Sequence, residues 1–561
     1  MKKAVLLSLI SIMAFSMGAC GQSSQGTGEG TTGSQSESSA SASVSGSEDS
    51  ESAASSVVTD QADSAITAYV GTNIFNSSMD PVKGFMSYGY DFINNALIRV
   101  NPESEYTADL ATDWTVSDDA LTYTYHLRDD VRFSDGSEFT SEDVKFTYEE
   151  VMNNQANNEN VDLTRLDSVE TPDDYTVVFH LKEPYSPFLD TTAMLQIVPS
   201  DSYDSDSFDT KPVGTGAWKV VEYDANQQII LEANEDYFEG APQIKRVTLV
   251  YMDQDAAYAA ASSGQLDVVM VSPNYADEKI DGMTLQSFET MDVRQISLPM
   301  NPSGTGEKDG ETVETGNDVT SDSAVREALA VGIDRQTIIN NALNGVGVPA
   351  ETFTDNLVWA NTQEYQDNQT DEAAKIMEDG GWTMGDDGIY QKDGLRCSFD
   401  LIAPGGDEDR YALAEGLADN AKNLGIEINV KTASWDEIMT LQYTTPVVWG
   451  WGQYSPTVIQ SLFSSDLYLH GAYDNPAGYS NEKVDQDIEN ALSANNQEDA
   501  INYWKDAQNI ADADHPYLYI VNIRHCYFVK DNLDLSPDTQ IPHPHGHGSP
   551  VICNMKDWKL K

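Results

Sequence analysis

The run from Cys397 to Lys431 constrains the fold of this chain more than any other. Cys397–Ala403 reads as a strand, Asp409–Leu424 as a helix and Ile426–Lys431 as a second strand. A strand–helix–strand unit predicts two parallel strands joined by a right-handed crossover. Upstream the pattern differs. Between Ala65 and about Met300 the runs Val177–Leu181, Ile229–Leu231, Val247–Val250 and Asp267–Val271 are short, β-rich and bounded by Gly, Pro, Asn or Asp. From about Ser321, Val325, Leu329, Ile333 and Leu343 fall on helical spacing, with Ser321 or Asp322 as the cap. A helix at Tyr503–Ala511 precedes a strand-like run, Tyr517–Ile523. No repeat occurs at solenoid spacing. The pattern predicts two mixed lobes, one richer in β and one built on α/β units.

Leu110–Met152 is the most regular stretch of the β-rich half. Leu121, Tyr123, Tyr125 and Leu127 alternate with Thr122, Thr124 and His126, as in a half-buried strand. Ser134-Asp135-Gly136 is a turn signal. Thr140 and Asp143 are placed to cap a helix with Val144, Tyr148 and Val151 on one face.

This stretch resembles the signature segment of the family 5 solute-binding lipoproteins of ABC transporters, the peptide/nickel class. Three further blocks resemble the same family and follow in its order: Pro212–Tyr237, Ser323–Ala350, and Asn475–Leu492 with its Gly478-Tyr479-Ser480-Asn481. The resemblance implies an α/β, two-lobed periplasmic-binding-protein-like fold of the cluster C type, with an inserted mixed α+β subdomain. It implies a first lobe over residues 64–301, an insert at about 100–210, a second lobe over 302–530 and a return to the first lobe over 531–561. The crossovers would lie near Leu298–Pro302 and Asn522–Asp531.

The N-terminus carries Lys2 and Lys3, an apolar run from Ala4 to Ala19, then Cys20. That is a secretory signal over residues 1–19, and its apolar run is too short for a comfortable transmembrane helix. Cys20 after Gly18-Ala19 resembles a bacterial lipobox, with Met17 where the pattern prefers Leu. Cys20 is then the lipidated first residue of the mature chain; an ordinary signal peptide with an incidental cysteine is the alternative. Residues 21–63 are mostly Ser, Gly, Thr, Ala, Gln and acid without Lys or Arg, the composition of a flexible tether, so residues 20–63 form the lipidated cysteine and its tether. The chain would be held at the cell surface or in the periplasm by its N-terminal lipid.

With 92 acids against 31 bases the net charge is −61, which leaves no basic footprint for a nucleic acid. Cys397, Cys526 and Cys553 are far apart and odd in number; free thiols or a Cys526–Cys553 disulfide are both open. No Gly-x-Ser-x-Gly elbow, Walker loop or His-Glu-x-x-His motif is present, so catalytic residues are not assigned and the chain is expected not to be an enzyme.

Two segments hold the candidate chemistry. Val448–Pro456 contains Trp449, Gly450, Trp451, Gly452 and Tyr454. Tryptophans beside glycines expose ring faces that stack on a ligand; plain core packing is the alternative. The segment resembles the family's cleft-lining "WG…DP" block, but Ser455 stands where many members carry the Asp that pairs with a peptide amine. Phe75 and Asn76, before Met79-Asp80-Pro81, together with Tyr88 and Trp359 are further ligand-binding candidates. His543, His545 and His547 alternate with Pro544 and Gly546. In an extended segment their rings share a face, about 6–7 Å apart, where they bind a metal, line a ligand pocket or serve structure.

Three functions compete. The first is an importer's receptor that captures a peptide or peptide-like solute and delivers it, as a monomer, to ABC permease and ATPase subunits. The second is the same scaffold carrying nickel or a metallophore complex as cargo. The third is a surface-anchored enzyme or adhesin. No cofactor is required by any feature; nickel or another transition metal enters only as cargo.

Overall fold

The computed structural model describes residues 64–561 except 76–77, 85–91, 155–157, 159–160, 354, 356, 362–363, 365, 453–454, 472 and 542–549. Cys20, Asn76, Tyr88, Tyr454 and His543, His545 and His547 therefore lie outside the described residues.

Two long antiparallel strands, Met283–Ser297 and Tyr517–Lys530, form the spine of an 11-stranded sheet. At one end of the spine the sheet continues through Val447–Trp451 to Ser398–Pro404 and Glu427–Ala433. At the other it continues through Val268–Val271 and Ala65–Tyr69 to Arg246–Val250, Gln228–Ala233 and Trp218–Asp224. Residues 398–404 and 427–433 pair in parallel, as the strand–helix–strand pattern requires, with the helix Glu408–Asn423 between them. The register of the spine breaks between Glu289 and Val293, opposite Arg524 and Asn522. These breaks lie closer to the middle of the strands than the expected crossover at Leu298–Pro302. The run seen as Tyr517–Ile523 continues seven residues further, to Lys530, because a strand buried on both faces shows no alternation that would mark its end.

Each end of the spine has its own core. Helices Ser323–Gly332, Arg335–Ala342 and Glu408–Asn423 cover one face around Val325, Leu329, Leu417 and Val448. Asp322 caps the first of them, its carboxylate accepting from the Ala324 amide at 3.0 Å. At the other end Ile66, Val247, Leu249 and Tyr527 pack with Leu535, Val551, Met555 and Trp558 from the chain's last segment. The helix expected at Tyr503–Ala511 begins earlier, at Gln497. Asn496 caps it, and its first turn is too polar to show apolar spacing.

The stretch Leu110–Met152 folds as its pattern predicts. Strands Ala111–Val116, Thr122–Leu127, Thr176–Leu181 and Leu166–Asp173 form a separate antiparallel sheet. Thr140 and Asp143 make a reciprocal capping box at the start of the helix Ser141–Asn153. Val144, Tyr148 and Val151 on that helix are fully buried, with the Tyr148 ring 4.6 Å from Phe179. Cys397 and Cys526 are buried thiols outside any disulfide, so the Cys526–Cys553 bridge is not formed. Among the described residues no helix is long and apolar enough to cross a membrane.

Candidate ligand site

Parallel strands end together, and in such sheets ligands sit beyond the carboxyl ends. Strands 398–404, 427–433 and 447–451 run in one direction and deliver Gly405–Asp407, Ser434–Trp435 and Gly452 to one edge. Strands 65–69, 246–250 and 268–271 likewise run in one direction and deliver Val70–Phe75, Tyr251–Asp253 and Ser272–Tyr275 to theirs. Both edges lie at the level of the register breaks, since Trp451 pairs with Val293 and Val271 with Cys526.

The two edges touch. Ser272 Oγ donates to Asp409 Oδ1 at 2.7 Å, and Asn344 Nδ2 donates to the Asn274 carbonyl at 3.1 Å. Beside this contact a cavity of about 160 Å³ is lined by Ser272, Arg294, Asp407, Asp409, Arg524 and His525, among others. Arg524 also lines cavities of about 450 and 360 Å³ on the same spine, the latter with Glu289, Glu351 and Asp355.

Behind the contact lies a cluster of buried charge. Arg294 and Asp292, next but one on the same strand, form an ion pair with Asp292 fully buried. Burial works against the Arg294 charge, but Asp292 and Asp407 outweigh it and raise its pKa. Arg410 is 1 % exposed, and burial, followed by repulsion from Arg294, lowers its pKa to about 10. Burial likewise pushes the His525 imidazole down to about 4. Asp407 caps the helix Glu408–Asn423 and with Glu408 and Asp409 complements its positive end.

On the other face of the same strands stands an aromatic group. Trp449 is buried, its Nε1 donating to Ser297 Oγ at 3.0 Å. Its ring lies 5.0 Å from Trp451, 6.0 Å from Trp435 and 6.1 Å from Tyr473. Trp435 and Tyr473 remain 38 % and 51 % exposed, so this group presents ring surface through them while Trp449 and Trp451 are packed beneath. The Arg410 guanidinium sits 5.5 Å over Trp435. Between Trp449 and Trp451, Gly450 faces the opposite way: a Cβ there would lie 2.1 Å from Arg294 Nη1. Gln295, paired with Trp449 across the sheet, is fully buried with neither amide atom hydrogen-bonded.

Of the remaining sequence candidates, Phe75 is buried edge-on against Tyr251 at 5.4 Å. Trp359 is buried and its carbonyl accepts from Gln508 at 2.6 Å. Among the described residues no group of three or more His, Cys, Asp or Glu is placed to hold a metal ion. The sequence reading missed Arg294, Arg410, Asp409, Ser272, Trp435 and Tyr473. The sequence carried no signal for the charge cluster, because in Met291-Asp292-Val293-Arg294-Gln295-Ile296 the charged residues read as the polar face of an ordinary alternating strand.

Two sheet halves joined by a two-stranded spine, with their strand ends facing one another, define a two-lobed solute-binding-protein fold. Residues 105–468 match the bacterial extracellular solute-binding proteins, family 5, and the chain belongs to that family, the solute-binding components of ABC importers. It is 29 % identical over 514 residues to Protein XP55 of Streptomyces lividans, covering 87 % of this chain and 90 % of the relative. It is 29 % identical over 444 residues to the oligopeptide-binding protein AppA of Bacillus subtilis, covering 74 % and 78 %. Among solved structures, NikZ of Campylobacter jejuni in complex with Ni(L-His) shares the fold with a TM-score of 0.72 at 21 % identity, covering 89 % and 99 %.

Proposed function

We propose that this chain captures a peptide or peptide-like solute between its lobes and hands it to a membrane permease driven by ATPase subunits. The observation that carries this is the exposed ring surface of Trp435 and Tyr473 beside the meeting strand edges. Ring faces suit an organic solute with apolar side chains better than a hydrated ion. Residues 64–301 and 531–561 would form the first lobe, with the insert at about 100–210, and residues 302–530 the second. The register breaks at Glu289–Val293 and Asn522–Arg524 are then the hinge. Ligand contacts to both lobes favour the closed form by as much as they exceed contacts in the open one. Cys20 would carry the lipid and residues 21–63 the tether, placing the domain outside the cytoplasmic membrane as a monomer.

Native mass spectrometry of the purified mature chain, followed by thermal shift against a mixed peptide library, tests this. A bound organic mass and a peptide-dependent rise in Tm are expected; neither appearing would sink it. A nickel chelate is the second reading, favoured by His543, His545 and His547. It predicts Ni²⁺ binding by calorimetry that weakens in the His543/His545/His547→Ala variant.

A further inference from the structure

The backbone that presents Tyr473 is held by a residue from a distant hairpin. Strands Gly304–Lys308 and Glu311–Thr315 pair antiparallel around Asp309-Gly310, both with positive φ, as a tight two-residue hairpin turn requires. Lys308, the last residue before that turn, reaches a loop 162 residues further along the chain. Its Nζ donates to the carbonyls of His470 at 2.8 Å, Gly471 at 3.2 Å and Leu469 at 3.3 Å. An ammonium has three donors and no acceptor, and three successive main-chain carbonyls turn toward this one. Tyr443 closes the same point. Lys308 Nζ lies 5.7 Å over its ring and 3.5 Å from its hydroxyl, and that hydroxyl donates to the Gly471 carbonyl at 3.0 Å.

The loop is shaped by this contact. Leu469 takes a φ of 66°, which a branched side chain keeps only where its surroundings dictate it. The hairpin supplies those surroundings at close range, since a Cβ on Gly306 would lie 2.4 Å from Leu469 Cδ1. Lys308 anchors the chain before Tyr473, and Asn475 anchors it after. Asn475 is fully buried; its Nδ2 donates to the carbonyls of Ser464 at 2.9 Å and Tyr479 at 2.8 Å, and its Oδ1 accepts from the Tyr479 amide at 2.8 Å. Between the two anchors Tyr473 is 51 % exposed, with its ring at 84° to that of Trp449 and 6.1 Å away. A ring so exposed has little packing of its own to fix its angle, so its backbone must fix it.

We propose that Lys308 is a positioning residue of the ligand site: it fixes the Leu469–Gly471 backbone so that Tyr473 stands ready beside Trp449, and it raises affinity for an apolar side chain of the solute without touching the solute. The inference rests on the peptide-capture reading above. A ring already held at its binding angle loses less freedom when the ligand arrives, and that saving appears as affinity.

Calorimetry of the purified chain tests this, with the library peptide that gives wild type its largest thermal shift. Lys308→Met keeps an unbranched apolar stem and removes the charge and the donors; it should weaken binding about tenfold. Tyr473→Ala should weaken it as well. Lys308→Met/Tyr473→Ala should be no weaker than Tyr473→Ala alone, because Lys308 acts only through that ring. Hydrogen exchange without ligand should quicken at the His470, Gly471, Tyr473 and Asp474 amides in Lys308→Met and stay as in wild type along the helix Glu482–Leu492. Unchanged binding in Lys308→Met, losses that multiply in the double variant, or exchange that quickens throughout the chain would each overturn the proposal. A wild type that takes no peptide would count against the import reading instead, and the exchange experiment would still decide whether Lys308 holds the loop.

Discussion

The hydroxyl of Ser272 donates to Asp409 Oδ1 at 2.7 Å, joining the carboxyl edge of one set of parallel strands to that of the other. Burial raises the pKa of Asp409 and its neighbour Asp407 adds to this, while the Ser272 hydroxyl lowers it. A carboxyl whose folded pKa is raised contributes stability that is present below its unfolded pKa and lost as pH rises. Ser272→Ala removes one of the bonds that limit that loss. The variant should match wild type in acid, where Asp409 is protonated, and fall behind by about 1 kcal/mol at neutral pH. Denaturant unfolding on both sides of the usual carboxylate range checks this; a penalty independent of pH would refute it.

Asp512 offers a sharper pH signature. It is fully buried, accepts from Tyr519 Oη at 2.6 Å and from Asn361 Nδ2, and burial lifts its pKa to about 7. Its contribution to stability is present in acid and lost as pH climbs through about 7. Asp512→Asn keeps an oxygen for Tyr519 but turns an amide donor toward Asn361. The variant should be less stable than wild type near pH ~5, and the gap should close or reverse by pH ~8. Parallel stability curves would refute this.

Gln295 carries two unpaired amide atoms in a fully buried position beside Trp449. A buried polar group without a partner costs about 1–3 kcal/mol, and Gln295→Leu has a similar volume without that cost. The substitution should raise stability by an amount in that range, measured by chemical denaturation. If the amide serves the ligand, peptide capture should weaken in the same variant.

The pair Trp449 and Trp435 separates packing from presentation. Trp449→Ala empties a buried, hydrogen-bonded site and should cost about 3–5 kcal/mol. Trp435 is 38 % exposed, so Trp435→Ala should cost much less while reducing the thermal shift given by peptides. Equal stability losses in the two variants would contradict their burial.

Local order was the legible part of this chain. The capping box at Thr140 and the apolar stripe Val144, Tyr148, Val151 depend on residues within a turn or two of one another, and the pattern predicts both. The parallel pair around Glu408–Asn423 was legible for the same reason. The spine was not: Asp292 and Arg294 find their neighbours Arg410, Asp409 and His525 in distant parts of the sequence, and no periodicity records such encounters. Trp449 illustrates the middle case. Its composition context marked an aromatic site, but whether the ring is presented or packed depended on Trp435 and Tyr473, which cover it from separate segments.

Gly450 joins the aromatic and charged halves of the site, and one methyl group tests the junction. It pairs with Arg294 across the sheet. A Cβ at residue 450 would lie 2.1 Å from Arg294 Nη1 and 2.8 Å from Arg410 Nη2. A guanidinium is the far end of a flexible side chain, and on an open surface it would swing away. Here Arg294 is 7 % exposed and tied to fully buried Asp292, and Arg410 is 1 % exposed. Any retreat must break the ion pair or push one cation toward the other. Replacing a strand glycine by alanine gains roughly 0.5–1 kcal/mol elsewhere, but overpacking a closed site costs about 1–3 kcal/mol. Gly450→Ala should therefore lower stability on balance. The loss should shrink in an Asp292→Asn/Arg294→Met background, where the blocking charge and its partner are gone. An undiminished loss in that background would clear Arg294 and leave Arg410 as the obstruction.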